Sequence, residues 1–239
     1  MNWRKTMKIK ALVAARSGSV RVENKNMKSF AGKTLLQYKL EQLKRLDFLD
    51  GVVLNSNDDE MLSLAESLDC EIVKRDEYYA LGTTPMPEVF KNMAENMETD
   101  IILYTNCTNP LVMDKTYYDM FEFYKQMPKE FSSLNSAHLI KEFMFENNKP
   151  INFELDVHPR SQDLPDISAL NFAINVLTKE QMIKGKSVIA NNPYIYLIDE
   201  VEATDIDNPI DFEFAEFIFK KKLKNRKIID INHNKRGQN

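Results

Sequence analysis

Lys8-Ile9-Lys10-Ala11-Leu12-Val13-Ala14-Ala15-Arg16-Ser17-Gly18-Ser19 is a short apolar run that breaks directly into a polar loop. Lys8–Ala14 has strand length, and from Ala11 to Ala14 both alternating positions are apolar. That pattern marks a strand buried on both faces, as in a parallel sheet covered by helices. In such sheets ligands sit beyond the carboxyl ends of the strands. The loop from Ala15 to Asn26 therefore stands where a substrate loop belongs.

The pattern continues outward from this strand. Lys33–Leu46 carries Leu35, Leu36, Leu40, Leu43 and Leu46 at helical spacing. Gly51–Asn55 reads as a strand, Asp58–Leu68 as a helix capped by Asn57 or Asp58, and Glu71–Val73 as a third strand. Pro85–Met97 reads as a helix, Ile101–Thr105 as a fourth strand and Asp114–Met127 as the helix after it. Strands alternating with helices predict an α/β chain with a doubly wound, mostly parallel sheet. Ser132–Asp166 is polar and weakly periodic, and reads as an excursion with short strands, an arm. Alternation returns with Leu170–Leu177, a helical Lys179–Lys184, an apolar run at Tyr194–Ile198 and a helix over Pro209–Leu223. The tail after Ile231 reads as frayed. The whole, residues 1–239, reads as one domain with the arm inside it.

Composition narrows the classes. The 239 residues are 43% hydrophobic and 28% charged, with a net charge of −4, so the sequence offers no basic surface for nucleic acid. A phosphate site must be a local cluster of cations. The apolar run from Ile9 to Ala15 is too short for a membrane span. With no secretory pattern at the start, a cytoplasmic location with Cys70 and Cys107 reduced is the expectation. The three histidines, at 138, 158 and 233, have no zinc-ligand spacing.

Two segments carry chemistry on their own residues. Ala15–Asn26 holds Ser17, Gly18 and Ser19 with Arg16, Arg21 and Lys25. Backbone amides, hydroxyls and cations together suit a triphosphate. The other reading is a surface loop with scattered cations. Neither a Walker loop nor a dinucleotide fingerprint is present. Near the C-terminal end, Thr204-Asp205-Ile206-Asp207-Asn208-Pro209-Ile210-Asp211-Phe212 alternates its carboxylates. On a strand end Asp205 and Asp207 share one side, and paired carboxylates facing a triphosphate can hold Mg²⁺. Asp211 reads as a first-turn acid favoured by the helix dipole.

These segments resemble the CMP-sialic acid synthetase (acylneuraminate cytidylyltransferase) family. Ala15-Arg16, Ser19, Arg21 and Lys25-Asn26 match its opening loop, while Val20 and Glu23 stand where the family often has lysine and proline. Val73-Lys74-Arg75 and Leu81-Gly82-Thr83-Thr84-Pro85 resemble its second nucleotide loop, of which Arg75 and Thr84 are kept; Thr83 and Thr84 read equally well as helix caps. Asn106, Thr108, Pro110 and Leu111 match a third loop, with Cys107 in place of proline and read as structural. Asp-Ile-Asp-x-x-x-Asp-Phe matches at every named residue. On the acceptor side Arg160 and Asn171 match, Phe172 replaces a glycine and Ala169 stands where an arginine is common.

The resemblance implies a Rossmann-like nucleotidyltransferase that joins CTP to an acidic keto-sugar, releasing pyrophosphate. It implies Arg16, Lys25, Asp205 and Asp207 as catalytic residues. It implies nucleotide contacts from Ala15, Arg16, Ser19, Arg21, Lys25, Asn26, Arg75 and Thr84. Asn106, Arg160 and Asn171 would line the acceptor pocket, with Lys141 as a weaker candidate. Asp207, partnered by Asp205, would ligate Mg²⁺. A homodimer built through the arm follows from the same resemblance and from Phe143, Met144, Phe145 and Phe153 within it. Transfer to a different acceptor, or a weakened nucleotide-binding protein of the same fold, are the other readings.

Overall fold

The computed structural model describes residues 7–19 and 21–236, with side chains up to Lys224; Val20 lies outside the described residues. Seven strands make the main sheet: β1 (Ile9–Ala14), β2 (Gly51–Ser56), β3 (Glu71–Lys74), β4 (Ile101–Thr105), β5 (Ser133–Ile140), β6 (Ile167–Thr178) and β7 (Pro193–Leu197). Their order across the sheet is 3-2-1-4-6-5-7. β1 pairs in parallel with β2 and β4, and β2 with β3. β6 alone runs antiparallel, between β4 and β5, and β7 pairs in parallel with β5. The expected doubly wound, mostly parallel sheet is what forms.

Among the described residues, six helices longer than one turn cover it: α1 (Leu35–Lys44), α2 (Asp59–Ser67), α3 (Met86–Glu95), α4 (Asp114–Gln126), α5 (Lys179–Gly185) and α6 (Pro209–Arg236). β1 shows why two layers are needed. Its Ile9, Ala11 and Val13 enter one core with α1 and α4, and Leu12 enters the opposite core with α3 and α5. Local chemistry sets the helix starts. Thr34 caps α1 through Gln37 N–H, and Asp58, rather than Asn57, caps α2 through Met61 N–H. Thr178 and Gln181 form a capping box on α5. α6 runs well past Leu223, and past Ile231 where fraying was expected; its sequence holds no Gly or Pro between Ile210 and Arg236 to stop it.

The arm is shorter than the sequence reading. Ser133–Ile140 is a full strand in the sheet, and the excursion is confined to residues 141–166, with a two-residue hairpin pairing Phe145–Glu146 and Lys149–Pro150. The strand reads as polar because Ser133, Asn135 and Ser136 are completely buried there. Asn135 donates to Asn175 Oδ1 at 2.8 Å and to Val188 O at 2.9 Å, and accepts from Ser133 Oγ. Buried polar groups that satisfy one another replace the apolar pattern a strand usually shows.

Candidate active site

Loop geometry at the carboxyl end of β1 comes from tethers. Ala15 is buried and its N–H donates to Asn55 O at 3.1 Å. Asn57 holds Ser17 through the backbone N–H at 3.2 Å and the hydroxyl at 3.1 Å. Gly18 sits at φ +79° with open space around it, a backbone state a side chain would strain. Lys25 N–H donates to Ser19 Oγ at 2.9 Å, which folds the loop back on itself.

The Asp205–Asp207 segment reaches the same place. Ile206 N–H donates to Thr108 O at 2.9 Å, docking the segment on the loop after β4. The Ile206 side chain is wholly buried among Phe30, Leu35 and Phe212. Residues 204–207 form no strand, contrary to the expected strand end, but with Ile206 turned inward Asp205 and Asp207 both line the cleft. Asp211 accepts from the N–H groups of Asp207 and Asn208, and Asn208 Oδ1 accepts from Ile210 and Asp211, a reciprocal cap that starts α6.

The result is an open cleft of about 600 Å³ lined by Arg16, Ser19, Arg21, Lys25, Asp205 and Asp207, among others. Asn26 and Asn106 also line it. Arg21 pairs with Asp207 at 2.8 Å, and the Lys25 ammonium stands 4.0 Å from the same carboxylate. Arg16 donates to Ala80 O at 2.8 Å. Asp205 is different: burial pushes its carboxyl above the ordinary aspartate range, Thr108 opposes that, and Asp207 adds to it. Its Oδ1 is buried with no hydrogen-bond partner. Among the described residues no three His, Cys, Asp or Glu side chains gather as a metal cage. Two carboxylates, one with an orphaned oxygen, nevertheless fit Mg²⁺, which binds through one or two carboxylates plus substrate phosphates.

Other expected residues lie elsewhere. Arg75 is buried, donating to Asn55 Oδ1 at 2.6 Å and Asn55 O at 3.0 Å; burial draws its guanidinium down to about 10. Thr84 is buried and its hydroxyl donates to Tyr78 O, so it closes the turn before α3 and is no helix cap. Asn171 accepts from Ser136 Oγ at 2.6 Å and from Ala173 N–H at 3.2 Å. Beside it Phe172 adopts φ +55° at a bulge in β6, and Asn175 donates to Phe172 O, so two asparagines hold the flipped residue. Arg160 is exposed and bidentate to Asp163 at 2.6 and 3.1 Å. Lys141 donates to Leu164 O at 2.6 Å and pairs with Asp166. Arg75, Thr84, Asn171, Arg160 and Lys141 do not line the cleft.

Val22 and Met86 line the cleft without having been singled out; apolar side chains carry no chemical signature in sequence. Thr108 matched its motif, and its place beside Asp205 gives it a part. Cys107 lies on the cleft floor with its thiol toward Asn26 Oδ1 at 3.1 Å. Burial pushes that thiol up to about 11, so it stays protonated and inert.

Residues 10–156 match the cytidylyltransferase family. The chain belongs to that family. It is 25% identical over 229 residues to a pseudaminic acid cytidylyltransferase of Campylobacter jejuni, covering 90% of this chain and 97% of that protein. It is 26% identical over 236 residues to an N-acylneuraminate cytidylyltransferase of Escherichia coli, covering 95% of this chain and 55% of that one. A CMP:2-keto-3-deoxy-manno-octonic acid synthetase solved with CTP superposes with a TM-score of 0.66 at 12% identity, covering 90% of this chain and 99% of that one. At that identity the likeness concerns the fold. No helix among the described residues is long and apolar enough to cross a membrane.

Proposed function

We propose that this chain transfers CMP from CTP to a hydroxyl of an acidic keto-sugar of the sialic acid type, releasing pyrophosphate. The observation that carries the reading is the cleft itself: Asp205 and Asp207 face Arg16, Arg21 and Lys25 at the carboxyl edge of the sheet. The acceptor class comes from the relatives, which act on pseudaminic and N-acylneuraminic acid.

In this reading Arg16, Arg21 and Lys25 hold the phosphates, and Ser19 and Gly18 shape the loop around them. The acceptor hydroxyl gives its proton to solvent as its oxygen bonds to the α-phosphorus, the bond from that phosphorus to the bridging oxygen breaks, and pyrophosphate leaves with the electron pair. Asp205 and Asp207 would hold Mg²⁺, which supplies charge neutralisation at the phosphate oxygens. Arg21, now on Asp207, and Lys25, now donating to Ile206 O, turn to the phosphates when the nucleotide binds. Asn106, which lines the cleft, would contact the acceptor. The reading includes a cytoplasmic homodimer joined through residues 141–166.

Pyrophosphate release tests it: the four nucleoside triphosphates against a panel of acidic and neutral sugars, with and without Mg²⁺. Release with CTP and nine-carbon 2-keto acids only, dependent on Mg²⁺, is the expected result. Release with neutral or phosphorylated acceptors would move the assignment to another acceptor. No release with CTP bound would mark a nucleotide-binding protein.

A further inference from the structure

Lys39 of α1 is a lysine at the bottom of the molecule's main core, with 1% of its surface exposed. Its Nζ contacts Tyr117 Oη at 2.8 Å, Asn109 O at 3.1 Å and Gln42 Oε1 at 3.3 Å. Each of the three is an acceptor, and the proton count shows it. Asn109 O is a carbonyl. The Gln42 amide has its Nε2 committed to Val112 O at 2.7 Å and Asp114 Oδ1 at 2.9 Å, which leaves Oε1 toward the lysine. Thr105 Oγ1 spends its one hydrogen on Ala173 O at 2.6 Å, so its 2.9 Å contact with Tyr117 takes the tyrosine's hydrogen. Tyr117 Oη therefore accepts from Lys39. Three acceptors require three N–H donors, and among the forms of a lysine amine only the ammonium has three.

A buried ammonium is costly unless an anion offsets it. Among the ion pairs of the described residues Lys39 has none; its cage is neutral. The cage lies behind the cleft floor: Lys39 and Gln42 line a separate cavity beside Asp114, and the link to the cleft runs through the chain at Asn109. Asn109, whose carbonyl it holds, binds Thr204 O through its side chain at 3.2 Å, at the root of the Asp205–Asp207 segment. The cleft-floor residues Asn106, Cys107 and Thr108 are the chain just before it. At Cys107, Lys39 is the first charge to oppose the effect of burial on the thiol, ahead of Lys25.

We propose that Lys39 is a positioning residue with a fixed charge: it pins the 106–109 loop from beneath and supplies a buried positive field that the polyphosphate of the nucleotide neutralises. This rests on the reading of the cleft as a CTP site. A fixed charge acts on ligands in proportion to their phosphates, whereas a purely mechanical prop acts on all of them alike.

The experiment measures binding of CTP, CMP and cytidine by titration calorimetry to the wild type and to Lys39→Met, which keeps the volume and removes the charge. The wild type alone tests the CTP reading; if it binds no CTP, that reading fails independently of Lys39. The expected result for Lys39→Met is a loss of about tenfold for CTP, a few-fold for CMP and little for cytidine, since a unit charge several ångströms away in a protein interior is worth about that much. Equal losses for all three, or unchanged affinity for CTP in a folded variant, would overturn the proposal. If Lys39→Met does not fold, Lys39→Gln removes the charge while leaving amide donors for the cage. The same graded loss supports the field, and an even loss or none rejects it.

Discussion

Asp205 and Asp207 are two residues apart and face one cleft, yet they differ in what their removal should do. Asp207 is half exposed and pairs with Arg21, itself largely exposed. Such pairs are worth about 0–1 kcal/mol. Asp207→Asn should leave the melting temperature unchanged and lower turnover by about two orders of magnitude, the scale seen when one charge-stabilising group is removed. Steady-state rates and thermal melts of one preparation check both halves. Asp205 is partly buried, with its carboxyl raised above the ordinary range. A raised carboxyl contributes stability below the unfolded aspartate value and loses it as pH rises through the folded value. Asp205→Asn should therefore match the wild type near pH 3 and melt higher at pH 7 without divalent cation, by on the order of 2–4 °C per kcal/mol regained. Its turnover should be lost. A variant equally stable or weaker at pH 7 would mean the carboxylate is well solvated there.

Among the elements, β5 and β6 show how a strand can hide from sequence. Their hydrophobic alternation is interrupted by Ser133, Asn135, Ser136, Asn171 and Asn175, all buried. These residues bond across the ladder and to Val188 O, and they hold Phe172 at a positive φ. Asn135→Ala strands Asn175 Oδ1, Val188 O and the Ser133 hydroxyl at once. At about 1–3 kcal/mol for each group left unsatisfied, a loss on the order of 3 kcal/mol is expected after partial relaxation. Urea denaturation should show it as a lower midpoint at unchanged slope. A loss below about 0.5 kcal/mol would mean water reaches the network.

At the scale of the whole molecule, the arm is one of the places where the described residues expose large apolar side chains, beside α6 with Ile210 and Phe217. Phe145, Ile151, Leu155 and Val157 are all more than half exposed, and Phe143 stacks on His158 at its base. A second copy covering this surface is the expectation, since patches of this kind on soluble chains mark partner sites. Light scattering at micromolar concentration should give twice the 27.9 kDa chain mass. Leu155→Glu combined with Val157→Glu should return the single mass with the fold intact by circular dichroism. A wild type of single mass would remove the dimer.

The amino-acid sequence by itself determined whatever rests on local pattern. Paired apolar faces in Ala11–Ala14 called for a covered parallel strand. The Arg16–Lys25 cations and the alternating Asp205 and Asp207 are contiguous signals, and both came to one cleft because strand ends converge there. Tertiary structure alone decided which other polar residues were free to act. Arg75 spends its guanidinium on Asn55, Thr84 on Tyr78, and Arg160 on Asp163. Such commitments link residues that the sequence lists without their partners, and a hydrogen bond leaves no trace in composition. Lys39 makes the same point: it lies three residues after Leu36 and four before Leu43, on the apolar face of α1, and only the packing of α4 and the 106–109 loop gives it partners there. Burial and partner geometry depend on contacts between residues distant in the chain, so they arise only when the layers close.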